Sequence, residues 1–193
     1  MSTWSPSVGR KMQRLLLCAS LSIAAYGVQL SDADGGDRLH HAAASGDLEL
    51  ARSLVAQDGG SGAVVNARAP GGATPLHAAA QYGQRLVAEL LLRHDADVDA
   101  TMGQQGITAL HVAAQFGQHE VASALIESGA RVDLALQSGS TPLHLATKAG
   151  HAAVVRLILT HAGAAAAKAT TASGITPLHA AVENSRLDVA QAS

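Results

Sequence analysis

A leucine-histidine pair recurs five times in this chain, as Leu39-His40, Leu76-His77, Leu110-His111, Leu143-His144 and Leu178-His179. Successive histidines lie 37, 34, 33 and 35 residues apart. A self-match at that period requires a stack of small supersecondary units, each burying its apolar surface against its neighbours, instead of one globular core. The question of function then moves from a pocket to a surface.

Each unit reads as a short helix, a tight reversal and a second helix. Thr74, Thr108, Thr141 and Thr176 stand where a hydroxyl can accept from an unpaired N–H of the first turn, and Pro75, Pro142 and Pro177 follow at the first helical position. Gly46, Gly83, Gly117 and Gly150 come seven residues after each leucine, where a left-handed conformation ends the helix; Ser185 departs from this pattern. After each reversal comes a second apolar set: Leu50, Leu54 and Val55; Val87, Leu91 and Leu92; Val121, Leu125 and Ile126; Val154, Ile158 and Leu159. Spacings of four and one put each set on one helical stripe, the expected core face. The alanine pairs Ala42-Ala43, Ala79-Ala80 and Ala113-Ala114 are small enough to let first helices approach closely. The expected fold class is therefore all-α.

The copies DRLHHAAASG from Asp37, ATPLHAAAQYG from Ala73, ITALHVAAQFG from Ile107, STPLHLATKAG from Ser140 and ITPLHAAVENS from Ile175 resemble the ankyrin repeat, whose signature is T-P-L-H-x-A at a period near 33. The resemblance covers residues 37–193, with repeats near 37–72, 73–106, 107–139, 140–174 and a truncated 175–193. It implies an α-solenoid of stacked helix-turn-helix repeats with short hairpin loops, binding a partner protein on a concave face in a scaffold or adaptor role. Carried across residue by residue, that face comprises Arg68, Pro70, Gly71, Ala73, Gln81 and Tyr82, then Met102, Gln104, Gln105, Ile107, Gln115 and Phe116. The fourth repeat contributes Ala135, Gln137, Ser138, Ser140, Lys148 and Ala149, and the fifth Thr170, Ala172, Ser173, Ile175, Glu183 and Asn184. Arg68, Gln81, Tyr82, Gln104, Gln105, Gln115, Phe116, Gln137 and Lys148 are the candidate partner-binding residues. Tyr82 and Phe116 occupy equivalent positions in consecutive repeats, and aromatic residues are otherwise limited to Trp4 and Tyr26. The aspartate that such repeats often carry at the start of each hairpin is replaced by Ala69, Gly103, Leu136 and Thr171, so less rigid tips are expected.

Other chemistries find little support in the residues. The paired histidines come one per unit, so stacking should keep them from converging as metal ligands; they read instead as imidazoles tying one repeat to the next. Gly59-Gly60-Ser61-Gly62 lacks the Lys-Ser or Lys-Thr of a phosphate loop and reads as a flexible insertion, and Ala164 to Ala167 as a helical extension of the fourth repeat. A net charge of −2 gives no nucleic-acid footprint. No enzyme constellation, cofactor, metal or small-molecule substrate is expected.

Residues 1–36 are a different material. Arg10, Lys11 and Arg14 precede the uncharged run Leu15 to Leu30, an order that fits a secretory signal with Ala25-Tyr26-Gly27 as a cleavage context, an organellar transit peptide, or an untargeted leader. The compartment stays open between the intracellular space, the secretory pathway and an organelle. The run is short for a membrane span, so membrane association is not expected. At the other end the second helix of the fifth repeat starts at Arg186 and stops before completing its apolar stripe. Either the chain is a piece of a longer protein, with this stack as its targeting or regulatory arm, or the last repeat frays; a secreted effector is a further alternative.

Overall fold

The computed structural model describes residues 35–59 and 61–179. The expectations for the leader, for Gly60 and for the chain beyond His179, with Glu183, Asn184 and Ser185, lie outside the described residues.

Helices come in antiparallel-type pairs: α1 (Gly35–Ser45) with α2 (Leu48–Gln57), α3 (Pro75–Tyr82) with α4 (Arg85–Arg93), α5 (Ala109–Phe116) with α6 (His119–Glu127), and α7 (Pro142–Ala149) with α8 (Ala152–Ala162). First helices pack on first helices along α1, α3, α5 and α7, and second helices on second helices along α2, α4, α6 and α8. The alanine pairs of α1, α3 and α5 are fully buried between layers, and Leu39, Leu76, Leu110 and Leu143 are buried beside them. Burying each of these leucines contributes roughly 2 kcal/mol. The run Ala164 to Ala167 forms a separate turn, α9 (Ala164–Ala167), and does not lengthen α8, because Gly163 takes a φ of 67° and ends that helix.

The second-helix stripe is narrower than its sequence suggests. Val87, Ala88 and Leu91 of α4 are buried, as are Val121, Ala122 and Leu125 of α6 and Val154, Val155 and Ile158 of α8. Leu92, Ile126 and Leu159 are only half-buried. At roughly 100° per residue Leu91 lies about 40° round the helix from Val87, whereas Leu92 lies about 140° away, past the edge of the contact. In α2 the arc shifts: Ala51, Leu54 and Val55 are buried and Leu50 half-buried.

Each pair of helices is joined to the next by a hairpin. Ala69 N–H donates to Ala73 O, Leu136 N–H to Ser140 O and Thr171 N–H to Ile175 O, each at 2.8–2.9 Å and each closing three residues. The second hairpin in chain order closes four, Gly103 to Gly106, through a two-way Met102–Ile107 bridge, so it houses the extra residue of the 34-residue interval. Met102 therefore stands level with Ala69, Leu136 and Thr171, where alignment by spacing puts Gly103. Among the described residues this bridge is the only β pairing outside helices and turns.

A candidate partner-binding face on a histidine spine

The spine that carries the surface is built by threonine and histidine three residues apart. Thr74, Thr108 and Thr141 adopt extended backbone at the helix entrance, and their N–H groups donate to Nδ1 of His77, His111 and His144 at 3.2–3.3 Å. The histidine thus fills the reciprocal half of a capping box, a place more often taken by Glu or Gln. On the far side His77 Nε2 faces Ile107 O and His144 Nε2 faces Ile175 O, both at 3.0 Å. A carbonyl can only accept, so Nε2 carries the proton and Nδ1 the lone pair, a neutral ring with one fixed tautomer.

Burial agrees with that assignment. Desolvation lowers His77 and His111 to about 4, outweighing the backbone carbonyls that pull the other way, and it lowers His144 as well. His111 departs in one respect: Nε2 is buried without a hydrogen-bond partner, the Ser140 carbonyl lying within electrostatic reach but outside bonding geometry. His40 departs in another. Its Nδ1 faces Gly36 O at 2.8 Å and its Nε2 faces Ala73 O at 2.9 Å, two acceptors of which a neutral ring can satisfy one.

Two further ladders fix the surface. The Gln84 and Gln118 amides donate to Ala44 O and Gln81 O of the preceding repeat at 3.4 and 3.1 Å, and His151 Nε2 lies 3.2 Å from Gln115 O. The hairpin tips are stitched in turn, Gly103 N–H to Gly71 O, Gln137 N–H to Gln105 O and Ala172 N–H to Ser138 O, at 2.9–3.1 Å. The backbone behind the exposed side chains is therefore held from repeat to repeat at both the tips and the helix ends.

A sequence model of the family described as ankyrin repeats (3 copies) matches residues 12–102, 39–135 and 110–192. The chain belongs to the ankyrin repeat family. Ankyrin repeats are helical solenoids that generally serve as protein-protein interaction modules and are typically non-catalytic. The first match reaches back to residue 12, inside the segment read from composition as a leader.

On this ankyrin scaffold the candidate residues fall into three groups. Tyr82 and Phe116 end α3 and α5 with 40% and 39% of their surface exposed, and Gln104 and Gln137 are exposed at the tips. Gln81, Gln105, Gln115 and Lys148 are half-buried. Arg68 is exposed, but its guanidinium donates to Gly72 O at 3.2 Å and Thr101 O at 2.7 Å, bracing one hairpin against the next. Four expected face positions are not at the surface: Ala73, Met102, Ile107 and Ser140 are 5–8% exposed. They sit in the hairpin arms, where the side chain turns inward while the carbonyl of Ala73 or Ile107 meets the histidine of the preceding repeat.

Spacing did not disclose Leu86, which is 61% exposed in the first turn of α4. The signal was size, since Glu49, Glu120 and Ala153 hold the equivalent positions and Leu86 is the one large apolar side chain among these four. Next to it Arg85 pairs with Glu89 at 2.7 Å and reaches Glu120 of the next repeat at 3.8 Å. Among the described residues no group of His, Cys, Asp or Glu could hold a metal ion, and no helix is long and apolar enough to cross a membrane.

Proposed function

We propose that this ankyrin repeat protein is a scaffold or adaptor that binds a partner protein on the face formed by the hairpin tips and the C-terminal ends of the first helices. In this reading the partner meets Tyr82 and Phe116 at the centre, with Gln81, Gln115 and Lys148 beside them and Gln104, Gln105 and Gln137 along the tips; Arg68 supports the tips from behind. The binding domain, set by spacing at 37–193, begins with α1 at Gly35, and the residues before that helix serve as a leader.

The observation that carries the reading is the pair of rings. Aromatic side chains make strong interface anchors because they bury a large area at low conformational cost. Here the chain places two of its four at equivalent ends of adjacent packed helices, on backbone held by the Gln118 and His151 ladder, and leaves both accessible.

The test is the double substitution Y82A/F116A. Neither ring belongs to the buried stripes, so thermal melting should shift little. Affinity for a partner recovered with the intact chain, measured by calorimetric titration, should fall by about 2 kcal/mol, or roughly 30-fold. Unchanged affinity with an intact melt would move the interface elsewhere; an unfolded variant would make the rings core.

A further inference from the structure

The hairpin arms and first helices of the second, third and fourth repeats carry no acidic residue. Asp and Glu are absent from residues 68–84, 101–118 and 135–150, and the acidic residues of these repeats lie in the second helices and the loops after them, Glu89 and Glu120 among them. What the three stretches carry instead is amide. Among the described residues the side chains of Gln81, Gln104, Gln105, Gln115 and Gln137 make no hydrogen bond to the protein, whereas the Gln84 and Gln118 amides tie neighbouring repeats. Two of the unpaired amides sit directly before a ring, as Gln81-Tyr82 and Gln115-Phe116. Amide N–H donors on a face without carboxylates match a ligand that offers bare carbonyls.

The rings set a spacing. Tyr82 and Phe116 end α3 and α5, which pack side by side, and packed helices stand roughly 8–10 Å apart. A polyproline II helix has three residues per turn and rises about 3.1 Å per residue, so its residues i and i+3 share one face about 9 Å apart. A β-strand repeats its face about every 7 Å, which falls short of one interval and overshoots at the second. An α-helix fits through i and i+7, about 10.5 Å apart, but its carbonyls are bonded internally and would leave the glutamine amides nothing to meet.

We propose, on the basis of the binding face put forward above, that its occupant is an uncharged proline-rich segment in the polyproline II conformation. Two apolar residues three apart rest on Tyr82 and Phe116, and the carbonyls beside them accept from the Gln81 and Gln115 amides. Proline holds that conformation before binding and has no N–H that would need an acceptor on this face. A charged residue between the rings would lose hydration without an opposite charge beside it, because Arg68 is already held by the Gly72 and Thr101 carbonyls.

The experiment titrates the full chain, by fluorescence anisotropy, with labelled peptides of known sequence. The first is Leu-Pro-Pro repeated four times; the second has the same composition with its leucines in alternate positions; the third is a helical peptide with leucines seven apart. The first should bind about tenfold more tightly than either of the others, and Y82A/F116A should weaken it by a similar factor. Raising the salt from about 0.05 M to about 0.5 M should change its affinity less than about twofold, since no ion pair is there to be screened. Equal binding of the first two peptides, preference for the helical one, or no binding of the first overturns the proposal. If the first peptide fails while a recovered partner still depends on Tyr82 and Phe116, the occupant is wrong and the face stands; peptide binding indifferent to Y82A/F116A in a folded variant overturns both. Should that variant fail to fold, the ring protons of Tyr82 and Phe116 in the intact chain decide: shifts on adding the first peptide support the proposal, and rings that do not respond refute it.

Discussion

Between the second and third repeats His77 Nε2 meets Ile107 O at 3.0 Å, whereas between the third and fourth the equivalent His111 Nε2 is buried beside Ser140 with no hydrogen bond. The caps on the near side of the two rings are the same, N–H to Nδ1 at 3.2 and 3.3 Å. What differs is the hairpin on the far side. Tip length is not the cause, since the three-residue tips closed by Ala73 and Ile175 also present a carbonyl to a histidine; Ser140 stands apart in that its hydroxyl and N–H both engage the Ser138 hydroxyl. The motif specifies its own end of the contact, and the neighbouring loop specifies the other. A further buried group without a partner, the Thr147 hydroxyl, lies in α7 where α3 and α5 carry Ala80 and Ala114.

The comparison is most exposed by removing each ring. His77→Ala should cost about 3 kcal/mol in urea denaturation, since it strands the Thr74 N–H and the Ile107 tie; His111→Ala, with no far-side bond to lose, should cost about 1 kcal/mol less. Equal losses would mean that the His111 junction closes in solution. A smaller effect separates the glycines at the same junctions. Gly83 and Gly117 have φ of 70° and 72°, and an added Cβ would meet the Gln118 side chain at the first and the His151 ring at the second. Each alanine should cost at least about 1 kcal/mol for the backbone alone. The Gln118 chain can swing aside more readily than a ring, so the melting temperature of Gly117→Ala should drop further than that of Gly83→Ala. Reversal of that order would show His151 to be the looser of the two. Smallest is Thr147→Ala, which removes a buried unpaired hydroxyl and should raise stability by up to about 1 kcal/mol; a loss would reveal a hydrogen bond at Oγ1.

Much of this architecture is written in local chemistry. Thr74, Thr108 and Thr141 announce helix starts because a hydroxyl cap acts within three residues, and Gly83, Gly117 and Gly150 announce helix ends because the left-handed backbone penalises a Cβ. The cross-repeat role of the histidines was legible too, since one imidazole per unit in a stack can reach only the neighbouring unit. The candidate face was less legible. Ala73, Met102, Ile107 and Ser140 align with exposed hairpin positions yet are buried, and spacing assigned Gly103 a place that Met102 holds.

The period, the caps and the alanine-based first helices are thus determined by the sequence alone, through interactions that span a few residues and repeat in register. Which side of a hairpin arm faces inward, which ring nitrogen finds a carbonyl and whether Arg68 meets solvent or the tip of the next repeat were decided only by tertiary structure. Those outcomes depend on groups some thirty residues apart in the chain. A pattern of period 33 carries the average of the repeats; the differences between junctions come from the residues that depart from it, Gly103 to Gly106, Ser140 and Thr147.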